Sequence, residues 1–228
     1  MVIVPFSDEQ ARALVNLEQS YRAWIEAEQT LTAMAYDLRR KTVSGRSYLY
    51  EIVDRSGNGR SLGPWTPENE ARFDAFRRDK AATKTRRDGS RQSLEESARI
   101  CRALRTPMLA SEAGAILREA DRRRLLGEKL LVVGTNAMAA YNVEAGGFIR
   151  DAPDETQDFD LAWSATEAGS DGDVVWKMLK AVDPTYTVNM EREFQARNAK
   201  AYEVEVLVAP SRVKTMYRRD RPKPMPLP

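Results

Sequence analysis

Two short stretches of this chain place residue types that can do chemistry at a useful spacing. In the first, Leu130-Leu131-Val132-Val133-Gly134-Thr135-Asn136, an apolar run ends in Gly-Thr and opens what reads as a helix. In the second, Gln157-Asp158-Phe159-Asp160-Leu161, two acids stand between apolar residues with the alternation of a strand. Side chains two apart on a strand share a face, so Asp158 and Asp160 project together. Carboxylates that close repel each other and raise a pKa unless a cation lies between them. A divalent metal is the economical reason for such a pair, and oxygen ligands suit Mg²⁺, with Mn²⁺ as the substitute. A glycine-led helix start nearby offers backbone N–H groups and a positive dipole end to a phosphate. Metal and phosphate cradle together point to chemistry on a nucleotide.

A two-metal site of that kind needs a third carboxylate to fix the metal that activates the attacking hydroxyl. The chain offers Tyr202-Glu203-Val204-Glu205-Val206-Leu207-Val208, in which Glu203 and Glu205 point the same way on a predicted strand. Glu205 has valine on both sides, as a charged residue at a metal centre would. An edge strand with a charged solvent face has the same pattern, and spacing leaves open which glutamate is the third acid.

Composition narrows the chemistry further. The chain has 228 residues, no histidine and a single cysteine, Cys101. Ser-His-Asp and Cys-His nucleophiles, His-ligated metals, an intramolecular disulfide and a cysteine-rich zinc site are all excluded. A hydrophobic content of 42% with 31% charged residues describes a globular protein rather than a disordered one. The net charge of +2 imposes no global field. Two basic runs stand out, Arg77 to Arg87 and Arg118 to Arg124, and runs of this kind on helices are most often solvated faces. No apolar run approaches the roughly 18 residues needed to span a bilayer, and the first apolar residues are too few for a signal peptide. The expectation is a cytoplasmic protein with no membrane partner.

The elements that must position these residues fall into two regions. Ser7, followed by two acids, predicts a helix start, and apolar spacing carries that helix to about residue 40. Residues 46–54 and 60–62 read as a β-hairpin about Gly57-Asn58-Gly59. Thr66-Pro67 opens a further helix that reaches Asp88-Gly89, another helix carries Leu94 to Leu104, and Ser111 caps a third. Residues 1–127 are therefore predicted to be a helical region with a hairpin at about 46–62. Residues 128–210 form the α+β core. Strands are predicted at 129–133, 157–163, 186–190, 194–198 and 202–208, helices at 135–143 and 171–182, and a polar loop at 148–155. Residues 211–228 form a charged, Pro-rich tail.

The order of these pieces resembles the DNA polymerase β-like nucleotidyltransferase superfamily: apolar strand, Gly-Thr opening a helix, Asp-x-Asp on the next strand, one acid on a later strand. The likeness extends to Gly45-Arg46-Ser47-Tyr48-Leu49-Tyr50, Ser61-Leu62-Gly63-Pro64, Ile116-Leu117-Arg118 and Val204-Glu205-Val206-Leu207. In that arrangement, over about residues 40–210, the chain is similar to a bacterial nucleotidyltransferase-fold family known mainly from genome sequences. The resemblance implies a polymerase β-like mixed sheet with flanking helices. It implies that Gly134, Thr135 and Asn136 cradle nucleotide phosphates, and that Asp158, Asp160 and Glu205 bind metal and carry catalysis. Lys177, on the helix after the acid pair, is a candidate phosphate partner. Glu205 stands where that family usually has Asp, and the stretch from Gly134 to Asp158 is longer than in many members. The family also continues in further helical sequence beyond the Pro-rich tail, which implies an acceptor-binding region there.

The activity so implied is metal-dependent transfer of a nucleoside monophosphate from an NTP to a hydroxyl of RNA, protein or a small molecule. The alternatives are a non-catalytic binding or regulatory module of the same fold, and a toxin or defence component that modifies tRNA or protein. Nothing in the sequence selects the base, the acceptor or an oligomeric state.

Overall fold

A computed structural model of the chain describes residues 2–152, 158–164, 174–192 and 194–208. The described elements run β1 (Ile3–Pro5), α1 (Asp8–Ala33), β2 (Asp37–Val43), β3 (Arg46–Ile52), β4 (Gly59–Pro64), α2 (Pro67–Ala103) and α3 (Ser111–Arg122). They continue with β5 (Leu130–Val132), a 3-10 turn (Thr135–Ala137), α4 (Met138–Glu144), β6 (Gly147–Ile149), β7 (Asp158–Trp163), α5 (Val174–Val182), β8 (Thr187–Val188), β9 (Gln195–Arg197) and β10 (Glu203–Val208). The chain divides into two compact units. One comprises the described residues up to Arg12 together with those from Cys101 onward, and the other spans Ala13–Ile100.

Local chemistry explains the starts of the two long helices, α1 and α2. Ser7 and Gln10 form a reciprocal capping box at the head of α1: the Gln10 N–H donates to Ser7 Oγ at 3.2 Å, and the Ser7 N–H to Gln10 Oε1 at 2.9 Å. Thr66 caps α2 through the Asn69 N–H at 3.3 Å, with Pro67 in the first helical position.

Two expectations in this region are corrected. The first helix stops at Ala33 rather than near residue 40, because residues 37–43 pair antiparallel with β3 along its whole length. The hairpin is thus a three-stranded sheet in the order β2-β3-β4. Leu38 satisfies a helical spacing equally well, but as a strand residue it is buried together with Leu49 of β3. The second correction concerns α2, which runs unbroken for 37 residues through Asp88-Gly89. Glycine lowers helix propensity without forbidding a helix. The flanking Arg91–Glu95 pair at 3.0 Å and the Ser90 hydroxyl on the Arg86 carbonyl at 2.7 Å lie within the same helix.

In the other unit the sheet has the order β5-β7-β10-β9-β8, with β7 and β10 parallel and the remaining pairs antiparallel. Alternation along its central strands sends Phe159, Leu161, Val204 and Val206 to one face, where all four are fully buried. Helices α3 and α5 cover that face with Ala113, Ile116 and Ala120 from one and Val175, Met178 and Leu179 from the other. Each such Phe, Leu or Ile side chain contributes on the order of 1.5–3 kcal/mol when taken out of water. The result is an α+β unit built on a mixed sheet.

The sequence grouped α3 with the N-terminal helices, whereas it lies in one core with the sheet. Its N-cap position is Ala110 rather than Ser111, whose hydroxyl donates to Glu112 at 2.6 Å instead. Residues 147–149, expected within or beside a polar loop, form β6 and pair with β1. An edge-to-face contact of Phe6 with Phe148 at 5.1 Å closes that two-stranded ribbon. The predicted strands at 129–133, 157–163, 186–190, 194–198 and 202–208 correspond to β5, β7, β8, β9 and β10. Gln157, the start of the helix expected from 171, and the tail at 211–228 lie outside the described residues. No helix among the described residues is long and apolar enough to cross a membrane.

A methyl group added at Gly89 would meet no atom within 4 Å. The change Gly89→Ala is therefore expected to stabilise the unit by about 0.5–1 kcal/mol, measured as a raised denaturation midpoint. An unchanged or lowered midpoint would contradict a continuous α2.

Candidate active site

Strands β7 and β10 lie side by side in parallel register, with Glu203 beside Asp158 and Glu205 beside Asp160. Paired residues share a face, and the apolar residues between them occupy the other. Asp158, Asp160, Glu203 and Glu205 therefore form a two-by-two array on the sheet face opposite α3 and α5. Sequence spacing brought each pair of acids to one side of its own strand. Strand register brings the two pairs together.

The turn after β5 reaches the same place. The Val133 N–H donates to the Asp160 carbonyl at 3.1 Å. Gly134 follows with φ +68°, and a Cβ there would collide with the Asp160 carboxylate. Only glycine allows both the backbone angle and the approach. The helix expected from Thr135 is in fact a 3-10 turn over Thr135–Ala137 leading into the seven-residue α4. Asn136, 4% exposed, donates from Nδ2 to the Asp158 carbonyl at 2.7 Å. Its Oδ1 is buried and has no hydrogen-bond partner among the described residues. Val133 and Asn136 thus tie the turn to both aspartates, and Gly134 permits the close approach to Asp160.

Burial holds the Asp160 carboxyl above the ordinary carboxylate range, and the charges of Asp158 and Glu205 push it the same way. The glutamates are held by neighbours that the sequence did not single out. Gln195, 2% exposed, donates from Nε2 to Glu203 Oε2 at 3.1 Å and to Glu205 Oε1 at 2.9 Å. Arg197 lies 3.5 Å from Glu203, and Arg192 lies 3.9 Å from Glu205. Gln195 faces Glu205 through antiparallel register with β9, and no spacing rule links residues ten apart across a turn.

Lys177 is not brought to the acids. It is exposed on α5, which packs on the opposite face of the sheet, and its carbonyl accepts from Arg123 at 3.4 Å. The gathered group is therefore Gly134, Thr135, Asn136, Asp158, Asp160 and Glu205, with Glu203 and Gln195 beside them.

The donor set is all oxygen, and Asp160 stands under the field of two further carboxylates, a condition that a divalent cation relieves. Among the described residues no three acidic side chains close into a metal cage by themselves. Mg²⁺ commonly binds through one or two carboxylates and completes its shell with phosphate oxygens and water, and an open acid face of this kind suits that habit.

A carboxyl whose folded-state pKa lies above its unfolded value favours the native state only while protonated, so ionised Asp160 opposes folding above that window. In the presence of a chelator, Asp160→Asn is expected to melt above the parent at pH 7. The gap should narrow as the pH falls and the native Asp160 carboxyl takes up its proton. An Asp160→Asn chain that melts lower at pH 7 would contradict the crowding of charge at this position.

Searches of curated proteins and of solved structures find no match to the chain. A family model described as Nucleotidyltransferase matches residues 111–228. The match begins at the first residue of α3 and includes the turn at Gly134, both acid-bearing strands and Gln195. It covers just over half of the sequence, and the chain belongs to that nucleotidyltransferase family.

Proposed function

We propose that the protein transfers a nucleoside monophosphate from an NTP to an acceptor hydroxyl, with pyrophosphate as the leaving group, on a polymerase β-like core. The observation that carries this reading is the register of β7 and β10, with Glu205 beside Asp160 and Asp160 against Gly134. Asp158, Asp160 and Glu205 are the residues that would hold Mg²⁺ or Mn²⁺. When bound, the metal would neutralise triphosphate charge and lower the pKa of the attacking hydroxyl.

The chain's own residues have separable tasks in this scheme. The turn at Gly134 and Thr135 gives the phosphates backbone N–H donors close to the acids, because no side chain stands between Gly134 and Asp160. Asn136 keeps that turn in register with Asp158. Glu205, rather than Glu203, is the third acid: its charge acts on Asp160, whereas Glu203 stands one pair further along beside Asp158. Positioning and charge neutralisation would supply most of the acceleration, as is general for transfer at phosphorus. The acceptor is a hydroxyl of RNA, protein or a small molecule, and the finer family is the bacterial one that the sequence resembles.

Incubation of the protein with Mg²⁺ or Mn²⁺, each α-labelled NTP and total RNA or a lysate tests this directly. Label is expected to move to an acceptor, and Asp158→Ala/Asp160→Ala is expected to reduce the transfer by about a thousandfold or more. NTP binding without transfer, unchanged in that double variant, would instead identify a non-catalytic module of the same fold.

A further inference from the structure

We propose that Gln195 is a positioning residue for the third acid: oriented by Asn189, its amide holds Glu205 and Glu203 beside the aspartates and so sets the affinity of the acid face for a divalent cation. The inference rests on the metal-dependent reading above.

The orientation of the amide follows from a chain of hydrogen bonds with one unambiguous end. The backbone N–H of Glu191 can only donate, and it does so to Asn189 Oδ1 at 3.0 Å. That turns Asn189 Nδ2 toward Gln195, where it donates to Oε1 at 2.6 Å. Gln195 is left with Nε2 facing the acids, and its two hydrogens go to the two glutamates at 3.1 and 2.9 Å. A carboxylate accepts and cannot donate, so both ends of the chain demand the same orientation.

The backbone fixes the residue as firmly. The Gln195 N–H donates to the Arg192 carbonyl at 2.8 Å, and the Gln195 carbonyl accepts from the Asn189 N–H at 2.8 Å. In β9 the residue stands directly beside Glu205. A buried amide with all its groups paired is rigid, and any change at one partner is felt by the others.

The choice of a neutral donor is the functional point. A lysine or arginine buried here would also bind both glutamates, but it would cancel the charge that a metal needs. The amide gives two N–H bonds and leaves the negative charge in place. The nearby arginines do not duplicate it, since Arg192 and Arg197 have side chains 62% and 55% exposed and are screened by water. Partners of this kind, one step behind the ligands, alter metal affinity by about 10–100-fold when removed.

A double-mutant cycle on the full chain tests the proposal, with Mn²⁺ affinity read from the electron paramagnetic resonance signal of the free ion. Gln195→Met, close in shape and without donors, should weaken Mn²⁺ binding about tenfold in the parent chain and less than about twofold in a Glu205→Gln background. Asn189→Leu, which leaves Gln195 in place but frees its amide to turn, should shift affinity the same way by less. The proposal is overturned by equal losses in both backgrounds, or by no loss in the parent. If Gln195→Met fails to fold, the same cycle with Asn189→Leu decides on the same terms. A parent chain that does not bind Mn²⁺ overturns this inference and the metal-dependent reading together. Label transfer that survives Asp158→Ala/Asp160→Ala overturns the functional reading, whereas a flat cycle with transfer lost in that variant overturns the role of Gln195 alone.

Discussion

The parallel register of β7 and β10 is the constraint on which the rest of this site depends. Both strands alternate acid with large apolar residue, and a sheet face is set by parity alone. A slip of one residue would carry Glu203 and Glu205 into the apolar core and expose Val204 and Val206. Such a slip would place unpaired carboxylates among Phe159, Leu161 and Met178, at a cost of several kcal/mol for each charge. The hydrophobic effect on one side of the sheet thereby enforces the meeting of charges on the other. The acid face is a by-product of a core that cannot pack any other way.

That coupling explains how a fold tolerates four carboxylates together. The carboxyl of Asp160 is lifted by burial and by the charges of Asp158 and Glu205. Opposing this crowding are the burial of the aliphatic and aromatic face under α3 and α5 and the amide bonds from Gln195. Such crowding makes the acid face less stable than an inert surface would be, and under the proposed function a bound cation would recover the difference. The close seat of Gly134 against Asp160 belongs to the same logic, because a side chain there would separate the turn from the acid it serves.

The unit over Ala13–Ile100 shows where local pattern misleads. Residues 37–43 carry apolar spacing compatible with α1, yet they form β2 because β3 supplies a full set of backbone partners. Gly89 reads as a stop, yet α2 passes through it, since one glycine costs a long helix only about 1 kcal/mol. In both cases a local preference of this size yields to hydrogen bonds and packing contributed by other parts of the chain.

Residue type and spacing alone determined that Asp158 and Asp160 lie on one side of their strand, that Glu203 and Glu205 lie on one side of theirs, and that a Gly-Thr turn follows an apolar strand. Those are consequences of strand periodicity and of allowed backbone angles, which are local. Only the tertiary structure decided that the two acid pairs adjoin, that Glu205 acts on Asp160, that Gln195 clasps both glutamates, and that Lys177 belongs to the far side of the sheet. The physical reason is that register and strand order arise from packing between segments distant in the chain. No window of sequence contains the buried apolar face that fixes them.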